Sequence, residues 1–329
     1  MTPLRLNLVL AALGLLTVVA GTVLGGAVLP PGEALAGLVF MGGEEARIIA
    51  QEIRLPRALA AFLIGGALGL SGAALQGLLR NPLADPGVLG VSAMSALGAV
   101  IAIYFNLAVI SVWMTPGLAV LFALAATALL YALGAGHATT TQLVLVGVGL
   151  SSFAGALTAL LMNLAPNPFT LSDLVNWLMG SVANRSFADI GFAAPFWLAG
   201  LVMVLCAGPG LRALTLGEEG AATAGANVPR VRGLVIAGAA LLTGASVAVA
   251  GAIGFVGIVA PHLVRPFVRH DAGDLLIPSA LAAGAVLALA DLVIRLLPFT
   301  IELKLGVAAA LVGAPAFIWI AARSRGIGA

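Results

Sequence analysis

Apolar segments long enough to cross a membrane recur along the whole chain, and they limit the available folds more than any other feature of the sequence. A spanning helix needs about 20 predominantly apolar residues. Segments of this character lie at 6–28, 57–79, 88–106, 115–135, 141–163, 190–209, 232–252, 256–268, 275–296 and 304–322. The sequence therefore predicts an all-α membrane protein with about ten transmembrane helices in a single domain over residues 1–329.

The charge content excludes a water-soluble globular enzyme. Of the 329 residues, 15 are basic and 13 are acidic, which is 9% of the chain, while 61% are hydrophobic. A soluble domain carries about 25% charged residues. The basic residues are scattered along the sequence, so nothing indicates a surface that binds nucleic acid.

Two segments depart from the regular spanning pattern. Residues 256–268 would rise only about 20 Å as a helix, which predicts a partial span packed inside protein. Residues Leu171–Met179 are amphipathic and predict a short interfacial helix. An even number of spans puts both termini on one side, and the arginines in the loops modestly favour the cytoplasm for that side. The outer arginines oppose this bias and need a separate explanation.

The chemistry that the sequence lacks narrows the function. A P-loop requires a Gly-Lys-Ser/Thr ending, but the only lysine, Lys304, lies in ELKLG (302–306). We therefore expect ATP hydrolysis in a separate subunit, and no catalytic residue, metal or cofactor in this chain. The histidines are scattered, without the spacing of a metal site.

Two other classes of function stay open. An ion-coupled secondary transporter would place carboxylates near the membrane midplane, whereas Asp291 and Arg295 lie near one end of the ninth span, four residues apart on one helical face. An intramembrane serine protease is suggested by Gly69-Leu70-Ser71-Gly72, for which His262 is the only candidate base. A packing face of small residues explains the same string.

Four stretches of sequence resemble one known family. They are RLPR (54–57) followed by QGLLRNPLADPGVLG (76–90), then LTLGEEGAATAG (214–225), AGAIGFVGIVAPH (250–262), and LGV (305–307) with GAPAFIW (313–319). In this order and spacing they are similar to the FecCD-type permeases, which are the membrane subunits of ABC importers for ferric siderophores, haem and cobalamin. The resemblance covers essentially the whole chain.

The resemblance implies a type II ABC importer permease of ten helices that works by alternating access in a bacterial inner membrane. It implies a second permease copy, two ATPase subunits that bind ATP and Mg, and a periplasmic substrate-binding protein. Both termini would be cytoplasmic. Among substrates we favour haem, then a ferric siderophore, then cobalamin.

The resemblance also assigns roles to residues. Arg54, Arg57 and Arg295 match arginines that meet glutamates of the binding protein. A cytoplasmic loop at about 211–229 would form two short coupling helices that contact the ATPase through Leu216, Gly217, Glu218, Glu219, Ala221 and Gly225. Asn81, Leu83, Thr139 and Thr140 match residues that narrow the cytoplasmic gate. Arg185 matches no family pattern, but its position on the outer side makes it a candidate contact for an anionic substrate group.

Overall fold

A computed structural model describes residues 2–25, 29–134, 140–268, 271–298 and 302–324. Within these ranges the chain forms helices and no strands, which confirms the predicted all-α class. Seven helical stretches are long and apolar enough to cross a membrane. They are α1 (Pro3–Val23), the stretch Glu44–Leu79 that contains α3 (Glu44–Arg47) and α4 (Leu55–Leu79), α6 (Met114–Gly134), α7 (Thr140–Asn163), α9 (Phe187–Leu214), α11 (Val228–Ala250) and α13 (Leu276–Leu296).

Shorter helices occupy the remaining predicted spans and the connections. The predicted spans 88–106, 256–268 and 304–322 correspond to α5 (Val91–Tyr104), α12 (Val256–Val264) and α14 (Leu305–Ser324). The connections contain α2 (Pro31–Leu38), α8 (Pro168–Leu178) and α10 (Glu218–Thr223). The short α12 and the predicted interfacial helix at α8 are confirmed as helices, whereas the total of ten spans stays a prediction.

The second span begins earlier than the sequence predicted. The predicted span began at residue 57, but the chain is helical from Glu44, and its turns widen to π-helical geometry over Ile48–Arg54 before α4 begins. A π-helical segment inserts extra residues into a helix without ending it. Pro56 has no N–H to donate to the preceding turn, and the π-helical segment directly before it is where the helix departs from regular α-helical hydrogen bonding.

The interior of the bundle is built by small residues on α4 and α13. A Cβ atom added at Gly65 would lie 2.5 Å from the carbonyl oxygen of Ala283, and one at Gly69 would lie 2.3 Å from the Cβ of Ala283. The two backbones are therefore closer than any larger side chain would allow. In a membrane, such close packing drives helix association, because lipid removes the ordinary hydrophobic gain.

Two breaks in the helical path meet beside α4. After α4 the chain returns toward the bundle through a 3₁₀ turn at Pro86–Leu89, and after α11 it runs without helix through Gly251 (φ 73°) to Phe255 (φ 66°). A Cβ atom at Gly72 on α4 would lie 2.0 Å from the carbonyl oxygen of Gly257 in the first turn of α12. The backbone of α12 therefore begins against α4 inside the protein, which explains why α12 is too short to span a bilayer alone.

Candidate functional site

A buried ion pair joins α4 to α13 at one end of the helix bundle, which we name the Arg57 end. The Nη2 atom of Arg57 donates to Asp291 Oδ1 over 2.7 Å, and its Nε lies 3.0 and 3.2 Å from the two carboxylate oxygens of Asp291. The Asp291 side chain is only 1% exposed. This forked arrangement fixes the orientation of the guanidinium as well as its position. Removing either partner would leave a buried charge without its counter-ion.

Arg295 and Arg54 lie in the same cluster and bind the end of α1. Arg295 Nε is 3.1 Å from Asp291 Oδ2, and its Nη2 donates to the carbonyl oxygen of Gly21 over 3.0 Å. Arg54 Nη1 donates to the carbonyl oxygen of Val23 over 2.9 Å. The last carbonyls of a helix have no partner within the helix, and cations are favourable there. The two arginines thus complete the C-terminus of α1.

Glu302 is the fifth member of the cluster, and of the two carboxylates in the cluster it is the more exposed. Its Oε1 atom contacts Arg57 Nη2, and its side chain is 42% exposed. Glu302 lies in the non-helical segment just before α14. We name the five residues the arginine network: Arg54, Arg57, Asp291, Arg295 and Glu302.

The structure brings together the three arginines that were predicted to dock a binding protein. All three already have partners within the chain, and Arg54 is only 4% exposed. Docking therefore stays a prediction. Sequence reasoning missed the roles of Asp291 and Glu302 in holding Arg57, although the four-residue spacing of Asp291 and Arg295 was a usable signal.

An open cavity of about 1280 Å³ lies at the Arg57 end. The ends of α5 and α11, the starts of α6 and α9, and α8 form its walls. Aromatic rings and side-chain amides dominate the polar part of the lining, which includes Tyr104, Asn106, Trp113, Asn167, Asn176, Trp177 and Asn184. The charged residues of the lining are Asp173, Arg185, Asp189 and Lys304, two of each sign. The cavity is therefore polar but has no net formal charge.

Arg185, the candidate substrate contact, lies in the lining of this cavity. Its Nη1 atom is 3.7 Å from Asp189 Oδ1 one turn along the chain, and its Nε donates to the carbonyl oxygen of Ala183 over 3.3 Å. Asp189 also accepts from Ser186 in a capping box at the start of α9. The location fits the prediction, but the guanidinium is already engaged. A contact with substrate stays a prediction.

The predicted coupling loop lies at the opposite end of the bundle, which we name the Glu218 end. The expectation of two short helices at about 211–229 was wrong for the described residues. Helix α9 continues to Leu214, α11 begins at Val228, and a single six-residue helix, α10, lies between them. Two glycines with positive φ bound α10, Gly217 (φ 93°) and Gly225 (φ 86°). The Asn227 side chain then caps α11 at once, by accepting from Arg230 N over 3.0 Å, so no room is left for a second helix.

Helix α10 is seated on the bundle by one face and exposes the other. Ala221 is fully buried, and Glu218 Oε1 accepts from Arg232 Nη2 on α11 over 2.8 Å. Leu216 is 70% exposed, and Glu219 is exposed as well. Of the six predicted coupling residues, Ala221 and Glu218 thus anchor α10, Leu216 and Glu219 face outward, and Gly217 and Gly225 bound the helix. Their contact with an ATPase stays a prediction.

The predicted gate residues lie partly outside the described ranges. Helix α4 ends at Leu79, the following Arg80 adopts a left-handed conformation (φ 49°), and Asn81 Oδ1 then accepts from Leu83 N over 2.9 Å. Arg80 also lines a recess with the coupling loop, so Asn81 and Leu83 are near that loop. Thr139 lies outside the described residues, and of Thr140 only the backbone, at the start of α7, is described. The gate therefore stays a prediction.

The family of the chain follows from comparison with known sequences. The model of the FecCD transport family matches residues 11–323. The chain belongs to the FecCD transport family. It is thus a multi-pass permease of the ABC importer type, as the sequence motifs predicted.

Several curated permeases are similar to this permease over most of its length. The uncharacterized ABC transporter permease protein YvrB of Bacillus subtilis is 41% identical over 282 residues, covering 84% of this chain and 79% of YvrB. The cobalamin import system permease protein BtuC of Halobacterium salinarum is 39% identical over 287 residues, with 87% and 76% coverage. The vitamin B12 import system permease protein BtuC of Yersinia enterocolitica is 36% identical over 288 residues, with 86% and 84% coverage.

The fold also matches a solved structure. An inward-facing conformation of a transporter described as "metal-chelate type" superposes with a TM-score of 0.85 at 31% sequence identity. The match covers 97% of this chain and 99% of the other. The helical arrangement described above is therefore that of a type II ABC importer permease.

The arrangement around Ser71 does not favour the serine-protease alternative. Ser71 is fully buried, and its hydroxyl lies 3.2 Å from the carbonyl oxygen of Ala239 and 3.0 Å from Thr243 Oγ1 on α11. His262 instead contacts the carbonyl oxygen of Ile258 through Nδ1 over 2.9 Å. A nucleophilic serine needs a base within hydrogen-bond reach. In this permease Ser71 links α4 to α11.

Side chains suited to metal binding do not cluster in the part of the chain that the structure describes. No group of three or more His, Cys, Asp or Glu residues lies close enough there to hold an ion. His137 and His270 lie outside the described residues. The most buried ion pairs among the described residues are those of the arginine network.

Proposed function

We propose that this permease carries a corrinoid, or a metal chelate of similar bulk, into the cytoplasm as the membrane subunit of a binding-protein-dependent ABC importer. Two permease copies would enclose the pathway and alternate its access between the two sides. Two ATPase subunits would bind ATP and Mg, and a periplasmic binding protein would deliver the substrate. High affinity would reside in the binding protein.

One observation carries the choice of substrate. The similar permeases whose names state a substrate import cobalamin or vitamin B12, at 36–39% identity over more than four fifths of this chain. We therefore place cobalamin ahead of haem and ferric siderophores, which reverses the order favoured by the sequence alone.

The chemistry of the cavity supports this order. Haem presents carboxylates, which arginine binds best when its guanidinium is free. In the described lining, Arg185 is already paired with Asp189, and the two basic residues are balanced by two acidic ones. Cobalamin instead carries amide side chains around its ring, and these suit a lining of asparagines and aromatic rings.

The two ends of the bundle would serve different partners. Helix α1 ends and α14 begins at the Arg57 end, so the start of α1 and the end of α14 lie toward the Glu218 end. We propose that the Glu218 end faces the cytoplasm and the ATPase, and that the Arg57 end faces the periplasm and the binding protein. This orientation puts the exposed Leu216 and Glu219 on the ATPase side.

Transport by the purified components would test the proposal. The permease, its ATPase and its binding protein would be reconstituted in proteoliposomes with ATP inside or absent. We expect uptake of radiolabelled cobalamin that depends on both ATP and the binding protein. Uptake of haem and of a ferric siderophore would be measured in parallel. ATP-dependent uptake of haem without cobalamin uptake would reject the corrinoid assignment, and uptake driven by an ion gradient alone would reject the ABC importer.

A further inference from the structure

The two carboxylates of the arginine network hold Arg57 in different ways. Asp291 engages Nε and Nη2 from within the helix pair, and its side chain is 1% exposed. Glu302 engages Nη2 alone and is 42% exposed. Among the described residues, Arg57 Nη1 has no hydrogen-bond acceptor. The edge of the guanidinium formed by Nη1 and Nη2 is therefore only half occupied.

A guanidinium can bind a carboxylate through two parallel hydrogen bonds along one edge. Asp291 already uses the Nε–Nη2 edge. A second bidentate carboxylate would have to use the Nη1–Nη2 edge, where Glu302 makes its single contact. A carboxylate from outside would thus compete with Glu302 and not with Asp291.

We propose that Glu302 is an internal stand-in for a carboxylate of the docked binding protein, which displaces it from Arg57. Asp291 keeps Arg57 in place throughout, so Asp291 is a positioning residue for docking. The network contains three arginines and two carboxylates, so its formal charge is +1, a sign that suits an acidic partner. The inference rests on the proposed docking at the Arg57 end.

Displacement of Glu302 from Arg57 would affect the wall of the cavity through the segment that precedes α14. Glu302 is separated from Lys304 by one residue in the non-helical segment before α14, and Lys304 lines the cavity at the same end. Two residues further on, Gly306 N donates to the carbonyl oxygen of Gly180 over 3.0 Å, which fixes the start of α14. Release of Glu302 would therefore free the segment between the network and this fixed point, at the wall of the cavity.

The test measures the affinity of the binding protein for the assembled, nucleotide-free transporter in nanodiscs. In E302Q the competing charge is gone, so we expect the dissociation constant to fall about two- to fivefold, the size of one exposed ion pair. E52Q is the matched control. Glu52 is exposed at the same end, two residues before Arg54, and makes no contact with Arg57. E52Q changes the net charge by the same amount as E302Q but frees no hydrogen bond of Arg57. We therefore expect a smaller change in the dissociation constant.

A second variant separates this inference from the docking on which it rests. R57K keeps the charge but lacks the fork that can hold two carboxylates. We expect R57K to weaken binding about tenfold or more and to reduce the gain from E302Q when the two are combined. If R57K leaves binding unchanged, docking at the Arg57 end is wrong. If R57K weakens binding but E302Q equals E52Q, docking stands and the displacement of Glu302 is wrong.

Assembly of each variant would be checked by size-exclusion chromatography and thermal unfolding. Should E302Q fail to assemble, E302D replaces it, because its carboxylate is one methylene shorter and would loosen the contact with Arg57. We then expect a smaller fall in the dissociation constant, in the same direction. An unchanged or higher value in E302D would count against the proposal.

Discussion

The two ends of the helix bundle handle charge in different ways. At the Arg57 end, three arginines and two carboxylates form contacts within the chain, and Asp291 among them is almost completely buried. At the Glu218 end, the single helix between α9 and α11 rests on Ala221 and on one partly exposed ion pair, and it presents Leu216 and Glu219 outward. Charge at the first end is organised around one buried carboxylate, whereas the ion pairs at the second end, of Arg232 with Glu218 and of Arg212 with Asp271 and Asp274, all have a partner that is at least 30% exposed.

The largest effect on stability is expected from D291A. The substitution removes the carboxylate that faces both Arg57 and Arg295, and it leaves buried positive charge without its counter-ion. We expect a loss of about 3–5 kcal/mol in the free energy of unfolding, measured by unfolding of the purified protein in detergent micelles. E52A removes an exposed acid at the same end and should change it by less than about 0.5 kcal/mol. If D291A and E52A lowered the free energy of unfolding by similar amounts, the buried charge at the Arg57 end would not stabilise the fold, and the contrast between the two ends would fail.

The next effect tests whether the helices of the Glu218 half are tightly packed below the exposed loop that contains α10. G72A would put a Cβ atom 2.0 Å from the carbonyl oxygen of Gly257 and force α4 away from α12. We expect a loss of about 1–3 kcal/mol, measured in the same way. G254A is the control, because no heavy atom lies within 4 Å of a Cβ added there. If G72A left the free energy of unfolding unchanged, the contact between α4 and α12 would not be tightly packed.

A smaller effect is expected from E218Q, which weakens the contact with Arg232 on α11. Because Glu218 is 56% exposed, the pair is screened by solvent. We expect a loss of about 0.2–1 kcal/mol in the free energy of unfolding, and less at high salt. A loss comparable to that of D291A would show that the Glu218 end also depends on its charges for stability.

The smallest effect on the isolated chain is expected from E219R. Glu219 is exposed, and its side chain has no ion pair among the described residues. We expect the free energy of unfolding to change by less than about 0.5 kcal/mol, while the affinity for the ATPase subunit, measured by co-purification at graded salt, falls. Unchanged affinity would indicate that α10 is not a docking element.

The sequence predicted the parts of this fold that depend on one local pattern. The long spans follow from apolar length, the partial span at α12 from its shortness, and α8 from its amphipathic spacing. It missed the start of the second span, which was predicted at residue 57. The chain is helical from Glu44 because Glu44 and Glu45 suit the first turn of a helix, and the π segment continues the helix into α4.

The arginine network could be predicted only in part. Arg54 and Arg57 are close in sequence, and Asp291 and Arg295 share one face of a helix. The contact of Arg57 with Glu302 joins residues 245 positions apart. No local periodicity reveals such a pair, because its register depends on how α4, α13 and the start of α14 pack. The scarcity of acids in the spans was a further clue that Asp291 required a cationic partner.

The position of Lys304 has a practical consequence. It is the only lysine in the chain, and it lies in the cavity lining two residues after Glu302. Amine-directed chemistry, which labels most proteins at many side chains, would therefore attach a fluorophore to one side chain of this permease, and otherwise only to the chain terminus. The native sequence thus offers a single attachment site for a fluorescent label, in the wall of the cavity and close to the arginine network.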